Sequence, residues 1–493
     1  MEPQNLKWTT VVFLLTFIWW PWRNEVHGQI ERAELGKRLQ RFELQWAQGN
    51  SAQQAAAAQP MQEAVSSFFS LRLLRAAEKL DAAWWTAQSA MPTDFRRFVV
   101  AHRIAIQKPI WEATEDSIQV RLEPFYPLEC EQEDAQVELT VVQPSLALPL
   151  QRPNAVVACG PIVRVSWGEA TTGIELDVAS LPEGDYEIHA SVNFHDASLK
   201  LLPCGWSRIR DPGTRIARLR EQRNEAEDAL APWLRATSQE QIRVLDSMLS
   251  GEFQEIDYPA YHGLAFCEQL LSNRENAADL IRAKAQTRDL WLSVAEGRRK
   301  VHLRLRSPTT SDPTKKIPVL ILFHGAGGSE NMFFETYGAG GAVAAGLERG
   351  WLVVATRQSL TGLSLDSKQI LEALAPLFPV DDDRVYYLGH SMGAGQVATQ
   401  VGLHPELPRA VAAIGGGGRP RQIEAAAQVP WFVAAGSLDF GKGGAISLSK
   451  SLQRAGGKKI EFREYPDVEH MVIVQAAIAD AFAFFDRQAN PEP

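Results

Sequence analysis

The chain has 493 residues, 45% of them hydrophobic and 22% charged, with a formal net charge of -9. That composition belongs to a soluble globular protein of more than one domain, and it excludes a disordered or collagen-like chain. Mild acidity without a basic stripe argues against a nucleic-acid partner.

The N-terminus reads as an export signal. Lys7 precedes an apolar stretch from Trp8 to Trp20, broken only by threonines, and Val26-His27-Gly28 follows a short polar segment. A basic start, a short apolar core and a small residue at the cut are what a secretory signal needs. The apolar core has 13 residues, short of the roughly 20 that a spanning helix requires. Residues 1–28 are therefore expected to be removed, leaving Gln29 as the mature N-terminus of a periplasmic or extracellular protein. The alternative is an uncleaved N-terminal membrane anchor; no stable membrane partner is expected otherwise.

Residues 29–108 read as a helical region. Phe68, Leu71, Leu74 and Ala77, and then Leu80, Trp84 and Ala87, recur at helical spacing. Two or three helices are expected, with the Gln/Ala-rich run 48–59 as a loop or loose helix. Trp84 and Trp85 read as core or interdomain packing rather than as a ligand platform. Residues 109–210 change to short alternating strands at 118–122, 137–142, 162–167, 174–178 and 186–192. With the turn Leu181-Pro182-Glu183-Gly184-Asp185-Tyr186, they predict an immunoglobulin-like β-sandwich, serving as a spacer or a wall of the active site. Residues 211–287 return to helical periodicity as a connector entered at Pro212-Gly213. All four cysteines (Cys130, Cys159, Cys204 and Cys267) lie in these upstream segments. An even count in an exported chain permits two disulfides, with three possible pairings; buried free thiols are the other reading. No Cys-x-x-Cys pair supports a zinc or redox site.

From residue 288 to 493 the pattern is that of a doubly wound, mostly parallel sheet. Two alternating strands, 289–295 and 300–306, turn at Glu296-Gly297. Buried strand-like runs then begin at 318, 351, 385, 410, 431 and 460, separated by helical stretches.

This segment also carries the chemistry. Gly389-His390-Ser391-Met392-Gly393 lies between an apolar, β-prone run and a helix-compatible one. Gly-x-Ser-x-Gly between a strand and a helix is the nucleophile elbow, a turn so tight that the serine backbone is strained and its hydroxyl is held clear of the sheet. A serine needs a base, an orienter for that base, and donors for the oxyanion. The run 318–323 ends in His324-Gly325-Ala326-Gly327-Gly328, a loop whose glycines free backbone N–H groups to face a ligand. Of ten histidines only His404 and His470 follow Ser391. His404 sits in the His-Pro pair that closes the helix after the elbow, which leaves His470 as the base. For the acid, Asp439 follows the strand-like run 431–435, while Asp467 and Glu469 are rivals because they neighbour His470 in sequence. His390, beside the serine, reads as a packing or hydrogen-bonding residue rather than a reacting one. Gly415 to Gly418 read as strand-end flexibility, and Asp381 to Asp383 as a solvated turn.

On these motifs residues 289–488 resemble an α/β-hydrolase, in particular the serine esterases related to polyhydroxyalkanoate depolymerases, feruloyl esterases and dienelactone hydrolases. The resemblance covers about two-fifths of the chain. It rests on the Leu-Phe-His-Gly-x-Gly-Gly loop, Asp383 to Tyr386, the Gly-His-Ser-Met-Gly elbow, the Gly-x-x-Asp and the final histidine. It implies Ser391 as nucleophile, His470 as base, Asp439 as orienter, and the Ala326 and Met392 backbone N–H groups as the oxyanion hole. It also implies that His324, with Gly325 and Gly327, supports that loop. Many of the polymer esterases have a cysteine where this chain has Ala326. The expected activity is hydrolysis of a small or polymer-derived carboxylic ester, without metal or organic cofactor. About a dozen residues separate Gly418 from Pro430, too few for a lid, so the site is expected to be open unless upstream segments cover it. Because every catalytic candidate lies beyond residue 287, that part is also expected to stand alone. Two rival readings are a prolyl-oligopeptidase-like peptidase, which lacks its propeller repeats here, and an inactive hydrolase fold that binds or scaffolds.

Overall fold

The computed structural model describes residues 25–489, apart from 132, 153–156, 196, 298, 310–311, 313–314 and 358–364. The apolar stretch Trp8 to Trp20 lies outside the described residues. The first described helix, Glu25–Gln48, runs across the cut expected after Gly28. Among the described residues no helix is long and apolar enough to cross a membrane.

Four helices come first: Glu25–Gln48, Ser51–Phe69, Leu73–Ala87 and Asp94–Val100. The Gln/Ala-rich run is regular helix from Ser51 onward, not a loop. Asn50 is the reason. Its side chain accepts from the amides of Ala52 and Gln53, and the Gln53 side chain accepts from the Asn50 amide. This capping box starts a helix that an alanine run then extends at little cost. Between the helices lies a buried ionic cluster. Arg38 is fully buried, pairs with Glu34, and donates to Asp81 at 3.2 Å. Asp81 also accepts from Arg41 at 2.6 Å and from the Tyr126 hydroxyl at 2.8 Å. One carboxylate thus ties the first helix to the third and to the strands that follow.

Those strands are β1 His102–Ile106, β2 Ile110–Glu112, β3 Ser117–Pro124, β4 Gln136–Val142, β5 Ala158–Ser166, β6 Ile174–Asp177, β7 Gly184–Phe194, β8 Ala197–Lys200 and β9 Cys204–Ile209. They make a three-stranded sheet, β1-β3-β6, and a six-stranded one, β2-β9-β7-β4-β5 with β8 on β7. Ile104 and Val120 of the first sheet share one core with Leu139 and Ile188 of the second. β1 starts at His102, ahead of the boundary expected near 109. The turn before β7 closes with the Tyr186 hydroxyl donating to the Pro182 carbonyl at 2.8 Å, as in a tyrosine corner. All four cysteines are free thiols, so neither permitted disulfide forms. Cys204 is buried in this core and Cys267 in a different one, which keeps them apart.

The connector contributes the helices Pro212–Glu225, Pro232–Leu249, Ala260–Ser272 and Ala277–Ala285. The large sheet follows: β10 Leu290–Glu296, β11 Arg299–Arg306, β12 Ile317–Phe323, β13 Leu352–Arg357, β14 Val380–His390, β15 Pro408–Ile414, β16 Trp431–Gly436 and β17 Ile460–Tyr465. Their spatial order is β10-β11-β13-β12-β14-β15-β16-β17. β10 and β11 are antiparallel and the six from β13 to β17 are parallel. This is the doubly wound, mostly parallel sheet. Its strand order reverses beside β12, and open α/β sheets bind ligands at such a switch point, outside the strand C-termini.

Every residue of β12 is buried, because helices cover both faces. Val319, Ile321 and Phe323 face a core shared with Leu245 and Leu264 of the connector. Leu320 and Leu322 face a core shared with Leu39, Phe42 and Met61 of the first helices. A segment beginning at 287 would keep the helices Gly341–Glu348 and Ile473–Ala489 on this second face but lose the share that the first helices cover as a cap.

Replacing Asp81 with alanine should lower stability by about 3–5 kcal/mol, since it strands the buried guanidinium groups of Arg38 and Arg41. Thermal or urea unfolding would measure this; a melting curve superimposable on wild type would show that the cluster does not hold the cap.

Candidate active site

The elbow is built by close backbone packing. β14 ends at His390, the helix Met392–Leu403 begins one residue after Ser391, and Ser391 sits between them at φ 57°, ψ -115°. A positive φ is strained for any residue but glycine. The surroundings leave it no alternative. A Cβ on Gly389 would lie 2.2 Å from the Gly393 carbonyl oxygen, and one on Gly393 would lie 1.9 Å from that of Phe323, at the end of β12. A Cβ on Gly416 would lie 2.5 Å from the Ser391 carbonyl oxygen. The glycines after β15 therefore let that strand end pack directly against the serine's turn, a more specific role than strand-end flexibility.

Ser391 Oγ lies 2.9 Å from His470 Nε2, and His470 Nδ1 lies 2.6 Å from Asp439 Oδ1. With the Nδ1–H donating to Asp439, Nε2 is free to accept from the serine hydroxyl. Asp439 stands just past β16 and also accepts from the Gly441 amide at 2.6 Å. Burial pushes its carboxyl up, but His470 and this amide outweigh burial and hold it below the ordinary aspartate value. The two rival acids are engaged elsewhere. Asp467 is exposed, and its amide donates to Ser437. Glu469 is buried and accepts from the amides of Met471 and Val472 at 2.8 and 2.7 Å, capping the turn before the helix Ile473–Ala489.

The loop after β12 lies beside the serine. Gly325 and Ala326 line the same cavity as Ser391 and His470. Met392 is the first residue of its helix, where amides lack intrahelical acceptors. Among the described residues no carbonyl accepts from the Ala326 or Met392 amide. His324 is buried and its Nδ1 bonds to the Gly325 carbonyl oxygen at 2.7 Å, inside the loop. Gly327 has φ 80°, and a Cβ there would meet the Phe68 ring at 2.9 Å. The cap helix Ser51–Phe69 therefore rests on the loop.

Sequence reasoning missed the residues that brace this loop. The Tyr337 hydroxyl accepts from the Gly325 amide at 3.1 Å and contacts His390 Nδ1 at 2.8 Å. His390 Nε2 reaches the His470 carbonyl oxygen at 2.8 Å. Burial, then the neighbouring His470, pushes the His390 imidazole down to about 3. It is thus neutral, accepting from Tyr337 at Nδ1 and donating to the His470 backbone at Nε2. One relay joins the loop, the elbow and the histidine's own backbone. On the far side, Glu255 of the connector holds the Ser329 hydroxyl and the Asn331 side chain. No local pattern announces either residue, since both act across the fold.

Above Ser391 lies an apolar cavity of about 150 Å³. Met61, Val65, Phe68 and Leu80 of the cap form one wall. Phe440 stacks on the His470 ring at 3.8 Å between centroids, and Phe69 packs edge-on against Phe440 at 5.8 Å. The expected open site is therefore roofed, by the first helices rather than by an insertion in the sheet domain.

No family model matches the chain, and no curated protein matches it. Solved structures similar to it include a thermostable esterase, at 22% identity and TM-score 0.32 over 41% of this chain and 60% of that one. Est1E from Butyrivibrio proteoclasticus is 13% identical, with TM-score 0.33 over 41% of this chain and 98% of that one. An S-formylglutathione hydrolase from Agrobacterium tumefaciens is 13% identical, with TM-score 0.34 over 41% of this chain and 96% of that one. The chain spans 60% of the length of the first of these.

If Asp439 orients the histidine, Asp439→Asn should cut kcat by about 10⁴-fold, because asparagine favours the wrong imidazole tautomer. Asp467→Asn should stay near wild type, and Glu469→Gln should lower the melting temperature more than kcat. Steady-state kinetics on the three variants decides; a severe kcat loss in Asp467→Asn or Glu469→Gln with a mild Asp439→Asn would move the orienting role.

Proposed function

We propose that this protein is a serine hydrolase that cleaves carboxylic esters through an acyl-enzyme, with Ser391 as nucleophile, His470 as general base and Asp439 as its orienter. The observation that carries the reading is the continuous hydrogen-bond chain Ser391–His470–Asp439 beneath an apolar cavity. In the first half-reaction Ser391 attacks the ester carbonyl while His470 takes its proton and passes it to the leaving alcohol. The Ala326 and Met392 amides receive the oxyanion. In the second, His470 activates a water that releases the acid and restores the serine.

The cavity supports a compact apolar acyl group. A dry apolar space of about 150 Å³ takes something near the size of benzene. It adjoins a larger chamber of about 1140 Å³ with a mixed polar and apolar lining, and Gly36, Glu255, Ile256 and Glu335 stand in both walls. That chamber suits the alcohol side of a bulkier substrate. Asp185, Tyr186 and Trp206 of the β7–β9 region line it. This supports the reading of the two small sheets as an immunoglobulin-like sandwich that walls the site. We also infer export with Gln29 as the mature N-terminus, on the signal-like pattern of residues 1–28; N-terminal sequencing of the exported protein tests it.

Hydrolysis of p-nitrophenyl esters by wild type and Ser391→Ala tests the activity. The substitution should lower kcat by about 10⁶-fold, as removal of a triad nucleophile does, without unfolding. Acyl chains from two carbons upward should show an optimum at short to medium length, and Met61→Trp should shift it shorter. Ser391→Ala within tenfold of wild type would remove the assignment.

A further inference from the structure

The turn that carries Tyr337 is unusual. Four successive residues take the left-handed conformation: Tyr337 at φ 43°, Gly338 at 73°, Ala339 at 52° and Gly340 at 87°. Two of them are not glycines, so something outside the turn must hold it. That something is an acid from the cap. Glu43, on the helix Glu25–Gln48, is fully buried, and its Oε2 accepts from the Ala339 amide at 3.1 Å. The neighbouring Gly338 and Tyr337 amides also favour the charged form of this carboxyl, although only the Ala339 amide donates to it within hydrogen-bond distance. A run of amides facing one acceptor forms a nest, which binds a carboxyl group. The Gln475 side chain donates to the Glu43 carbonyl at 3.1 Å, fixing that stretch of helix against the sheet domain.

We propose that Glu43 is a positioning residue of the active site. By filling the nest it sets Tyr337, and Tyr337 in turn fixes the Gly325 amide and His390, hence the oxyanion loop and the His470 backbone. The inference rests on the reading of Ser391 as nucleophile. Burial pushes the Glu43 carboxyl up to about 8, against the pull of the three amides. Near neutral pH the neutral acid, whose carbonyl oxygen still accepts, is therefore well populated, and glutamine imitates it.

The test compares Glu43→Ala, Glu43→Gln and Tyr337→Phe for kcat, KM, melting temperature and the rate of Ser391 labelling by a fluorophosphonate probe. Glu43→Ala and Tyr337→Phe should each lower kcat and labelling by about 10–100-fold with KM within about threefold, as small misplacements of catalytic groups do. Glu43→Gln should stay within about threefold of wild type. Because the two residues act in series, the double variant Glu43→Ala/Tyr337→Phe should be no slower than the worse single one. A folded Glu43→Ala labelled at the wild-type rate overturns the proposal, as does multiplication of the two effects. If Glu43→Ala does not fold, Tyr337→Phe at wild-type rate, or a folded Glu43→Gln that is severely slowed, overturns it. Wild-type protein that the probe does not label overturns the hydrolase reading itself, and this inference with it.

Discussion

The site depends on a backbone crowding problem at one turn. Ser391 must be held at a positive φ, and three chain segments must pass close enough to hold it there. Gly389, Gly393 and Gly416 are the points of passage, and a Cβ at each would strike a carbonyl group within 2.5 Å. β12, β14 and β15 therefore have to end at one level. The parallel register does this: Phe323 pairs with Gly389, and Gly389 pairs with Ala413. Once the strands end together, the loop after β12, the serine after β14 and the acid after β16 fall on one edge of the sheet. The hydrogen-bond chain then needs only His470, delivered by the segment after β17.

A doubly wound sheet has two faces to bury, and this chain covers them with material from upstream. The connector helices share one face with the helices Ser367–Leu374, Met392–Leu403 and Lys442–Arg454, and the first three helices share the other with the helices Gly341–Glu348 and Ile473–Ala489. The same first helices supply Met61, Val65 and Phe68 to the cavity wall. Stability and substrate selection are thereby carried by the same side chains. A substitution that enlarges the cavity, such as Met61→Ala, also removes core volume, so specificity and stability are bound to change together here.

What could be read from the sequence was whatever the chain writes locally. β12 and β16, and the apolar stretches within β13, β14 and β15, stand out because both faces are covered, whereas the edge strand β17 alternates. Ser391 and Asp439 were legible as candidates because each follows an apolar run, His470 because it is the last histidine of the chain, and the loop from His324 to Gly328 because of its closely spaced glycines. The capping box at Asn50 and Gln53 was also written locally, although the alanine and glutamine content around it left loop and loose helix both open. Tyr337, Glu43 and Glu255 could not be read. Glu43 meets Ala339 across 296 residues, and Glu255 meets Asn331 across 76. A lone Glu on a helix looks like any solvated acid until the turn that receives it is in view. The roof over Ser391 was hidden for the same reason: nothing between Gly418 and Pro430 encodes it, and its source lies in the first helices.

The roof also differs in kind from a hinged lid. A lid is a loop or helix with few buried contacts, free to open on its own. Here the covering helices are tied down at several separate points. Leu39, Phe42 and Met61 lie in the sheet's own core. Arg38 and Arg41 meet Asp81 inside the cap. Lys37 bonds to Asp257 of the connector, Gln40 to the Glu335 carbonyl, and Gln62 to the Leu438 carbonyl beside the acid. Lifting the roof as a unit would break the bonds to Asp257, Glu335 and Leu438 at once and expose apolar core, which amounts to partial unfolding. On the proposed reading, substrate enters around the fixed roof, where the apolar cavity borders the larger chamber at Glu255 and Glu335. Selection at such an entrance is by the shape and polarity of the substrate, because the protein has no cheap motion with which to adapt.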